Sequence, residues 1–396
     1  MINKVKTAVV GCGMISSVYL RNLRDLFSIT ELVAVCDVNP EKAKQQAEKY
    51  GVPQVMTVEE IAASEDVELV VVLTGPMYSF SVIRTMLEAG KHVFTEKTIS
   101  CDLAHAGELV RLANEKGVLL GAAPDTVLGA GVQTAKKVLE SGLIGTVTSA
   151  LVSINRNHNL NAEEFRFIQS SAISSFPYDV GIYYMAAVLC LLGPVKTVCG
   201  FVEAAPLHPA EHLFHNPQKE EFRLPGPAVM TGAMRMCSGA EVSIHFNGSS
   251  VNEEQDVLWL YGTEGILKVT GCGGFDGEVT LIRAETGSCV IPHTHGYDGK
   301  PVLPDLDPRL EAGYGHRGLG AAELAWAVRA GRPAARCSKE FAFHTMEALV
   351  GLEQSAKEQA YFQMTSTFTM APLKSGYLST MFHGFLRGDA ERSIME

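Results

Sequence analysis

Near the start of the chain stands Val5-Lys6-Thr7-Ala8-Val9-Val10-Gly11-Cys12-Gly13-Met14-Ile15-Ser16. The first six residues form a short run, mostly apolar and rich in β-branched side chains, that stops at glycine; a helical stretch follows Ser16. This is the pattern of strand, tight turn and helix. Gly11 permits the turn, and Gly13 removes a Cβ so that the backbone can approach a pyrophosphate, with Met14 and Ile15 leading into the helix N-terminus that favours negative charge. Ser16 stands where the dinucleotide fingerprint has its third glycine, a position of close helix–strand packing that a small residue fits. Asp37 ends the second strand, roughly 20 residues on. A carboxylate there accepts hydrogen bonds from an adenosine ribose diol and repels a 2′-phosphate, so NAD is expected over NADP.

Outward from this turn the same texture continues. Glu31–Asp37, Glu68–Thr74, Lys91–Glu96 and Val118–Ala122 are short, largely continuous apolar runs, as expected of strands covered on both faces. Polar helix-favouring segments lie between them, among them Pro40–Tyr50 and Ser81–Ala89, with Gly51 and Gly90 where a helix end prefers glycine. Alternation of this kind predicts βαβ units, a parallel sheet and right-handed crossovers. The pattern changes after Pro124. A helix is expected over Gly131–Glu140. Strand-like runs then dominate: Val147–Ile154, Val195–Glu203, Val229–Cys237, Ala240–Asn247, Val257–Tyr261, Gly265–Val269 and Val279–Arg283. Helices at Gly318–Ala330 and Phe341–Lys357 follow, and Ala205–Pro227 reads as a long surface loop. The expected architecture is α/β: a Rossmann doubly wound parallel sheet over 1–123, then an α+β domain with a large, mainly antiparallel sheet over 124–396.

Composition narrows the class. The chain has 396 residues, is 46% hydrophobic and 19% charged, and carries a formal net charge of −11. It can bury a large core, and its acidity argues against a nucleic-acid partner. The longest apolar run, Ile182–Leu192, is far short of a membrane span. Lys4 and Lys6 precede an apolar stretch too short for a secretory signal, which therefore reads as a buried strand. Nine cysteines, an odd number with no Cys-x-x-Cys pair, indicate neither a disulfide framework nor a zinc site and place the chain in the reducing cytoplasm.

Chemistry-bearing residues cluster around two further stretches. Glu96-Lys97-Thr98 ends the strand Lys91–Glu96, and strand C-termini are where an open parallel sheet binds ligands. Thr74-Gly75-Pro76 ends the neighbouring strand in the same way. Further on, Ser175-Phe176-Pro177-Tyr178-Asp179-Val180-Gly181-Ile182-Tyr183-Tyr184 runs into an apolar helix, and Asp179 and Tyr183, spaced i, i+4, share one helical face.

The ordered set of motifs resembles the Gfo/Idh/MocA family, named for glucose–fructose oxidoreductase, inositol dehydrogenase and a rhizopine-catabolism protein. It comprises strand–Gly11-Cys12-Gly13–helix, Glu96-Lys97, Glu140-Ser141-Gly142-Leu143-Ile144-Gly145 before an antiparallel sheet, Asp179-x-Gly181-x-Tyr183, Tyr261-Gly262-Thr263-Glu264-Gly265 and Gly331-Arg332-Pro333. The resemblance implies an active site in the cleft between the two domains, with hydride passing between a nicotinamide and a carbon bearing an alcohol or carbonyl on a sugar or cyclitol. By the same resemblance Lys97 hydrogen-bonds the reacting oxygen, and Tyr183 stands where many members have an acid/base histidine. Asp179 matches the aspartate of the second-domain helix. A phenol has an ordinary pKa of about 10, and a nearby Lys97 ammonium would lower it. Glu96, Lys97, Thr74 and Gly75 border the cofactor. The open sheet of such domains commonly pairs, implying a homodimer or homotetramer.

The sequence departs from the family pattern at several places. Thr98 replaces the usual proline after Glu-Lys, Ser79 stands where histidine is common, and Ser174-Ser175-Phe176-Pro177 replaces a glycine-rich approach to Asp179. Two alternative readings are a redox-neutral NAD-dependent glycoside-cleaving enzyme and a non-catalytic dinucleotide or sugar sensor. Asp125, Arg156 and His158 are the candidate substrate contacts, although Asp125 fits a turn or helix cap equally well. No metal site is expected: His208, His212, His215, His293 and His295 lack a ligand spacing of known type. Tyr178 and Tyr184 are expected to pack rather than react, and Cys12 is read as a small buried filler.

Overall fold

The structure is a computed structural model and describes residues 3–156, 175–204, 226–250, 255–297 and 317–373. Strands β1 (Val5–Val10), β2 (Thr30–Cys36), β3 (Gln54–Val55), β4 (Leu69–Val72), β5 (His92–Thr95) and β6 (Leu120–Ala122) form one sheet in the order β3-β2-β1-β4-β5-β6. Every pairing in it is parallel. The strand order reverses between β1 and β4, and at such a switch point the chain leaves a crevice beyond the strand C-termini. β4 is buried along its whole length, as its unbroken Leu-Val-Val-Val run requires.

The connecting helices start and stop where the sequence provides caps. In α1 (Ser16–Arg21) the chain leaves the glycine turn and continues through a π-helical turn, Asn22–Leu26. Asn39 accepts from the Glu41 and Lys42 amides at the start of α2 (Pro40–Tyr50), and Gly51 closes it in the left-handed conformation with φ 63°. Thr57 and Glu60 form a capping box on α3 (Val58–Ala63). Helix α4 (Pro76–Glu88) begins five residues before the expected Ser81, because Pro76 is well placed in a first turn. Asp102 caps α5 (Leu103–Lys116), a helix the apolar pattern does not single out.

Helix α6 (Ala130–Glu140) leads into the second sheet. Its strands are β7 (Val147–Asn155), β8 (Val195–Ala204), β9 (Pro227–Met236), β10 (Glu241–Asn247), β11 (Gln255–Gly262), β12 (Ile266–Val269), β13 (Val279–Arg283), β14 (Gly287–Ile291) and β15 (Phe362–Gln363). The order is β14-β13-β12-β11-β7-β10-β9-β8-β15. All neighbours are antiparallel except β7 and β10. The seven expected strands are all present. β14 was not anticipated because Gly-Ser-Cys-Val-Ile is an exposed edge strand with no buried face to impose alternation. Of the expected loop Ala205–Pro227, residues 205–225 lie outside the described residues and Pro227 opens β9.

Helix α7 (Ile182–Leu192) packs on this sheet and is buried from Ile182 through Leu191, so its apolarity is not confined to one face. A π-helical turn, Pro177–Gly181, precedes it. Helix α8 (Leu319–Arg329) then returns to the first sheet and packs against β1, β5 and β6, while α9 (Lys339–Glu358) packs across β8 and β6. The first sheet's last strand ends at Ala122 and the second sheet begins at Val147, and the chain crosses back to the first sheet with α8. Among the described residues no helix is long and apolar enough to cross a membrane.

Candidate active site

The glycine turn sits at the switch point. The Gly11 amide donates to the Cys36 carbonyl at 2.8 Å, joining the ends of β1 and β2. Gly11 has φ 106°, and a Cβ there would stand 2.8 Å from the Leu73 carbonyl carbon. Gly13 is different: an added Cβ would meet no atom within 4 Å, so its backbone faces open space. Ser16 is buried, and its hydroxyl donates to the Gly13 carbonyl at 2.5 Å, so serine at the third fingerprint position ties the turn to the helix. Asp37 Oδ2 accepts from the Cys12 amide at 2.7 Å and Oδ1 from the Asn39 amide at 2.8 Å. A carboxylate has about four acceptor positions, so two remain for a diol. Thr74 Oγ1, at the end of β4, is buried without a hydrogen-bond partner among the described residues. Gly75 follows as the cap residue of α4. An open cradle at Gly13, an acceptor at the end of β2 and an unsatisfied buried hydroxyl beside them fit a dinucleotide.

Cys12 lies within the turn but is 5% exposed, and burial pushes its thiol up to about 12, so it is a packed thiol rather than a nucleophile. Met14 is half-exposed at the mouth of the turn, and Ile15 is the residue preceding α1.

The structure brings Lys97, Asp179 and Tyr183 together. Lys97 Nζ donates to the Asp179 carbonyl oxygen at 2.9 Å and is ion-paired with Asp179 Oδ1. It also lies 5.7 Å from the centre of the Tyr183 ring. The Lys97 and Asp179 side chains are 16% and 30% exposed, so the pair is partly open to solvent, while Tyr183 is 9% exposed. Burial alone would push the Lys97 ammonium down. The Asp179 carboxylate and Tyr183 phenol outweigh it and hold Lys97 above its ordinary value, so it remains a cation. Asp179 and Tyr183 both reach Lys97 because the π-helical turn runs directly into α7, and the Asp179 amide donates back to the Ser175 carbonyl at 2.8 Å. The Lys97–Thr98 peptide is cis, as is Ala123–Pro124.

A second, largely buried layer lies behind this triad. Tyr19 on α1 donates to Glu96 Oε1 at 2.7 Å, linking the helix after the glycine turn to the tip of β5. Glu96 Oε2 accepts from the Lys97 amide at 3.1 Å. Asp125 has no exposed surface. Its Oδ2 accepts from the Gly318 and Gly320 amides at 3.0 and 3.1 Å, and its Oδ1 is 3.6 Å from Arg317 Nη1. Arg317 in turn places its guanidinium 4.8 Å from the centre of the Tyr183 ring. The expectation of Asp125 as a substrate contact is thus replaced by an anchoring role at the start of α8, the cap its position also allowed.

Arg156 directly follows β7, with its guanidinium carbon 6.0 Å from the Phe176 ring centre. His158 lies outside the described residues, as do His208, His212 and His215. His293 bonds the Gly277 carbonyl and His295 the Leu373 carbonyl, at 3.1 and 2.9 Å. Tyr178 and Tyr184 pack as expected, with hydroxyls on Glu353 and Asp256. Ser79 is buried and donates to the Pro76 carbonyl at 3.1 Å. The sequence reading missed Tyr19 and Arg317. Tyr19 carries a weak signal, since an aromatic on the helix after the turn can reach the neighbouring strand tips. Arg317, between Gly315-His316 and Gly318, carries none.

Comparison with known proteins bears on this geometry. Residues 5–123 match the Gfo/Idh/MocA model described as oxidoreductase family, NAD-binding Rossmann fold, and residues 132–268 match the family's C-terminal domain. The chain is similar to scyllo-inositol 2-dehydrogenase (NADP(+)) IolW of Bacillus subtilis, 27% identical over 203 residues covering 51% of this chain and 56% of that protein. It is 26% identical over 204 residues to dTDP-3,4-didehydro-2,6-dideoxy-alpha-D-glucose 3-reductase of Streptomyces violaceoruber, covering 51% and 58%. The chain thus spans little more than half the length of these relatives. Levoglucosan dehydrogenase in complex with NADH and levoglucosan has the same fold, with a TM-score of 0.77, 19% identity and coverage of 92% and 100%. So has an oxidoreductase from Agrobacterium radiobacter in complex with NAD+, L-tartaric acid and magnesium, with a TM-score of 0.75, 16% identity and coverage of 91% and 98%. With both halves matched in order, the chain belongs to the Gfo/Idh/MocA oxidoreductase family.

Proposed function

We propose that this chain is an NAD-dependent oxidoreductase that interconverts an alcohol and a ketone on a sugar- or cyclitol-like substrate, with Lys97 and Tyr183 as its acid/base pair. The observation that carries the reading is the meeting of Lys97, Asp179 and Tyr183 at the tip of β5, two strands from the glycine turn. Gly11, Gly13, Met14 and Ile15 hold the diphosphate, Asp37 the adenosine ribose, and Thr74, Gly75 and Glu96 border the remainder. When bound, the nicotinamide would supply the hydride donor or acceptor. In the oxidation direction the Tyr183 oxygen takes the substrate hydroxyl proton, and the Lys97 ammonium stabilises negative charge on the reacting oxygen. In reduction Tyr183 returns that proton. Asp179 fixes the Lys97 ammonium, so the donor is in place before substrate arrives. Arg156, at the sheet end of the cleft, contacts the substrate hydroxyls.

A panel of sugars, cyclitols and their keto forms, followed by nicotinamide absorbance with NAD and NADP, identifies the substrate. On it, Lys97→Met and Tyr183→Phe should each lower kcat about 10²–10⁴-fold with NAD affinity little changed. Full turnover by both variants overturns the assignment. Nine free thiols support a reducing compartment. Phe201, 78% exposed on β8, supports pairing of the second sheet into a homodimer or homotetramer, which light scattering would measure.

A further inference from the structure

We propose that Arg317 is a positioning residue for Tyr183, its buried guanidinium fixing the phenol ring beside Lys97 and favouring negative charge on the phenol oxygen. The inference rests on the reading of Tyr183 as the acid/base group and extends it to a residue from the far end of the chain. Three observations carry it. The Arg317 side chain is 3% exposed, and that of Asp125 has no exposed surface. The guanidinium carbon lies 4.8 Å from the Tyr183 ring centre, within cation–π range and nearer than Lys97 Nζ at 5.7 Å. Asp125, which ties Arg317 down, is itself held by the Gly318 and Gly320 amides at the start of α8.

A buried arginine needs a reason, because removing a charge from water is costly unless it is paired. Here burial alone would weaken the hold on the proton. The Tyr183, Asp125, Glu96 and Tyr19 groups around it act the other way and keep Arg317 charged. Tyr183 and Asp125 exert the largest of these effects on the cation. The Asp125 contact is 3.6 Å and a further guanidinium nitrogen, Nη2, donates to the Gly273 carbonyl at 3.4 Å, so the guanidinium is held in place against the ring. Among the described residues, Lys97 and Arg317 are cations that lie against the Tyr183 ring; Lys97 also interacts with Asp179 and Glu96, and Arg317 with Asp125, Glu96 and Tyr19. Two cations then favour the charged phenol, where Lys97 alone is already engaged by Asp179. The arrangement also makes the site conditional on α8 docking to the first sheet.

Arg317→Met alone would leave Asp125 buried and unpaired, and so threatens folding. The test is therefore the double variant Arg317→Met/Asp125→Asn, whose amide oxygen still accepts from Gly318 and Gly320. Arg317→Lys, which keeps the charge but loses the planar stack, is the second variant. Ring-carbon NMR of 13C-tyrosine-labelled protein reads the Tyr183 phenol directly, its resonance identified by loss in Tyr183→Phe, and needs no substrate. In the double variant Tyr183 should titrate about one pH unit or more higher than in the parent protein, and in Arg317→Lys at an intermediate pH. On the identified substrate, kcat should fall about ten- to a hundred-fold with the high-pH limb of the profile displaced the same way and NAD affinity unchanged. A Tyr183 titration that does not move in either variant overturns the inference, even if Tyr183→Phe abolishes turnover. Conversely, full turnover by Tyr183→Phe overturns the catalytic reading on which the proposal stands, whatever the titration shows.

Discussion

Gly11 and Gly13 lie two residues apart, yet substitution at each should fail in a different way. At Gly11 an added methyl meets the Leu73–Thr74 backbone at 2.8–2.9 Å, and the positive φ is itself unfavourable for any side chain. Gly11→Ala should cost about 2 kcal/mol or more of folding free energy, read as a lowered urea midpoint. At Gly13 the methyl meets nothing, so Gly13→Ala should leave the midpoint within about 0.5 kcal/mol. It should nonetheless weaken NAD at least about ten-fold by calorimetry, because the methyl stands where a diphosphate must approach. Equal loss of stability in both would show that the turn at Gly13 is merely structural. Asp37→Ser should weaken NAD about ten-fold and narrow its preference over NADP, since a charged acceptor is removed and so is the repulsion of a 2′-phosphate. The places of both glycines in the turn after β1 and of Asp37 just past β2 are legible from spacing alone. The link from Asp37 Oδ2 to the Cys12 amide was not, because it depends on how β1 and β2 align.

The decisive element is the π-helical turn that runs into α7. The expected i, i+4 pairing of Asp179 and Tyr183 places both near one face, and packing of the turn against β9, β10 and α9 aims that face at β5. Gly181 is the contact point: a Cβ there would stand 2.7 Å from the Phe246 ring. Gly181→Ala should therefore lift the start of α7 from the sheet, costing about 1–3 kcal/mol of stability. It should also cut turnover well beyond that of other substitutions of equal destabilisation. NAD affinity should be nearly unaffected, because the glycine turn belongs to the other sheet. An activity loss no greater than stability predicts would mean that α7 does not position the reacting groups. Helix caps follow the sequence more simply, since Asn39, Thr57 and Asp102 are each local to the turn they close. Removing Thr57 by Thr57→Ala should cost about 1 kcal/mol with no change in NAD affinity or turnover.

At the scale of the whole molecule, three histidines make stability depend on pH. His92 Nδ1 accepts from the Leu119 amide and His344 Nε2 from the Val195 amide, both at 2.9 Å, so each ring is held neutral at that nitrogen. Burial pushes His92, His295 and His344 below the ordinary value of 6.5. The unfolded chain therefore binds more protons than the folded one as the pH drops past 6.5, and stability falls in that direction. Glu68, lowered by its hydrogen bonds from Arg329, adds a second loss as the pH falls below its ordinary value of 4.5. The urea midpoint should decline between about pH 7 and pH 5, and less steeply in His344→Gln. A flat profile would show that these rings exchange protons freely in the folded state. The joining of α8 to the first sheet belongs to this scale as well, since it brings Arg317 beneath a ring from the second.

Local chemistry determined the strand–turn–helix opening, the parallel first sheet, the seven strands of the second and the Lys97, Asp179 and Tyr183 candidates, because each rests on side-chain patterns a few residues long. Tertiary structure alone decided that Lys97 pairs with Asp179, that Asp125 is buried under α8, and that Arg317 reaches Tyr183. Those contacts join positions 82 to 193 residues apart. Their energy comes from desolvation and packing of groups that no local pattern relates, so the sequence names some of the participants, Arg317 not among them, and only the folded chain sets the partners.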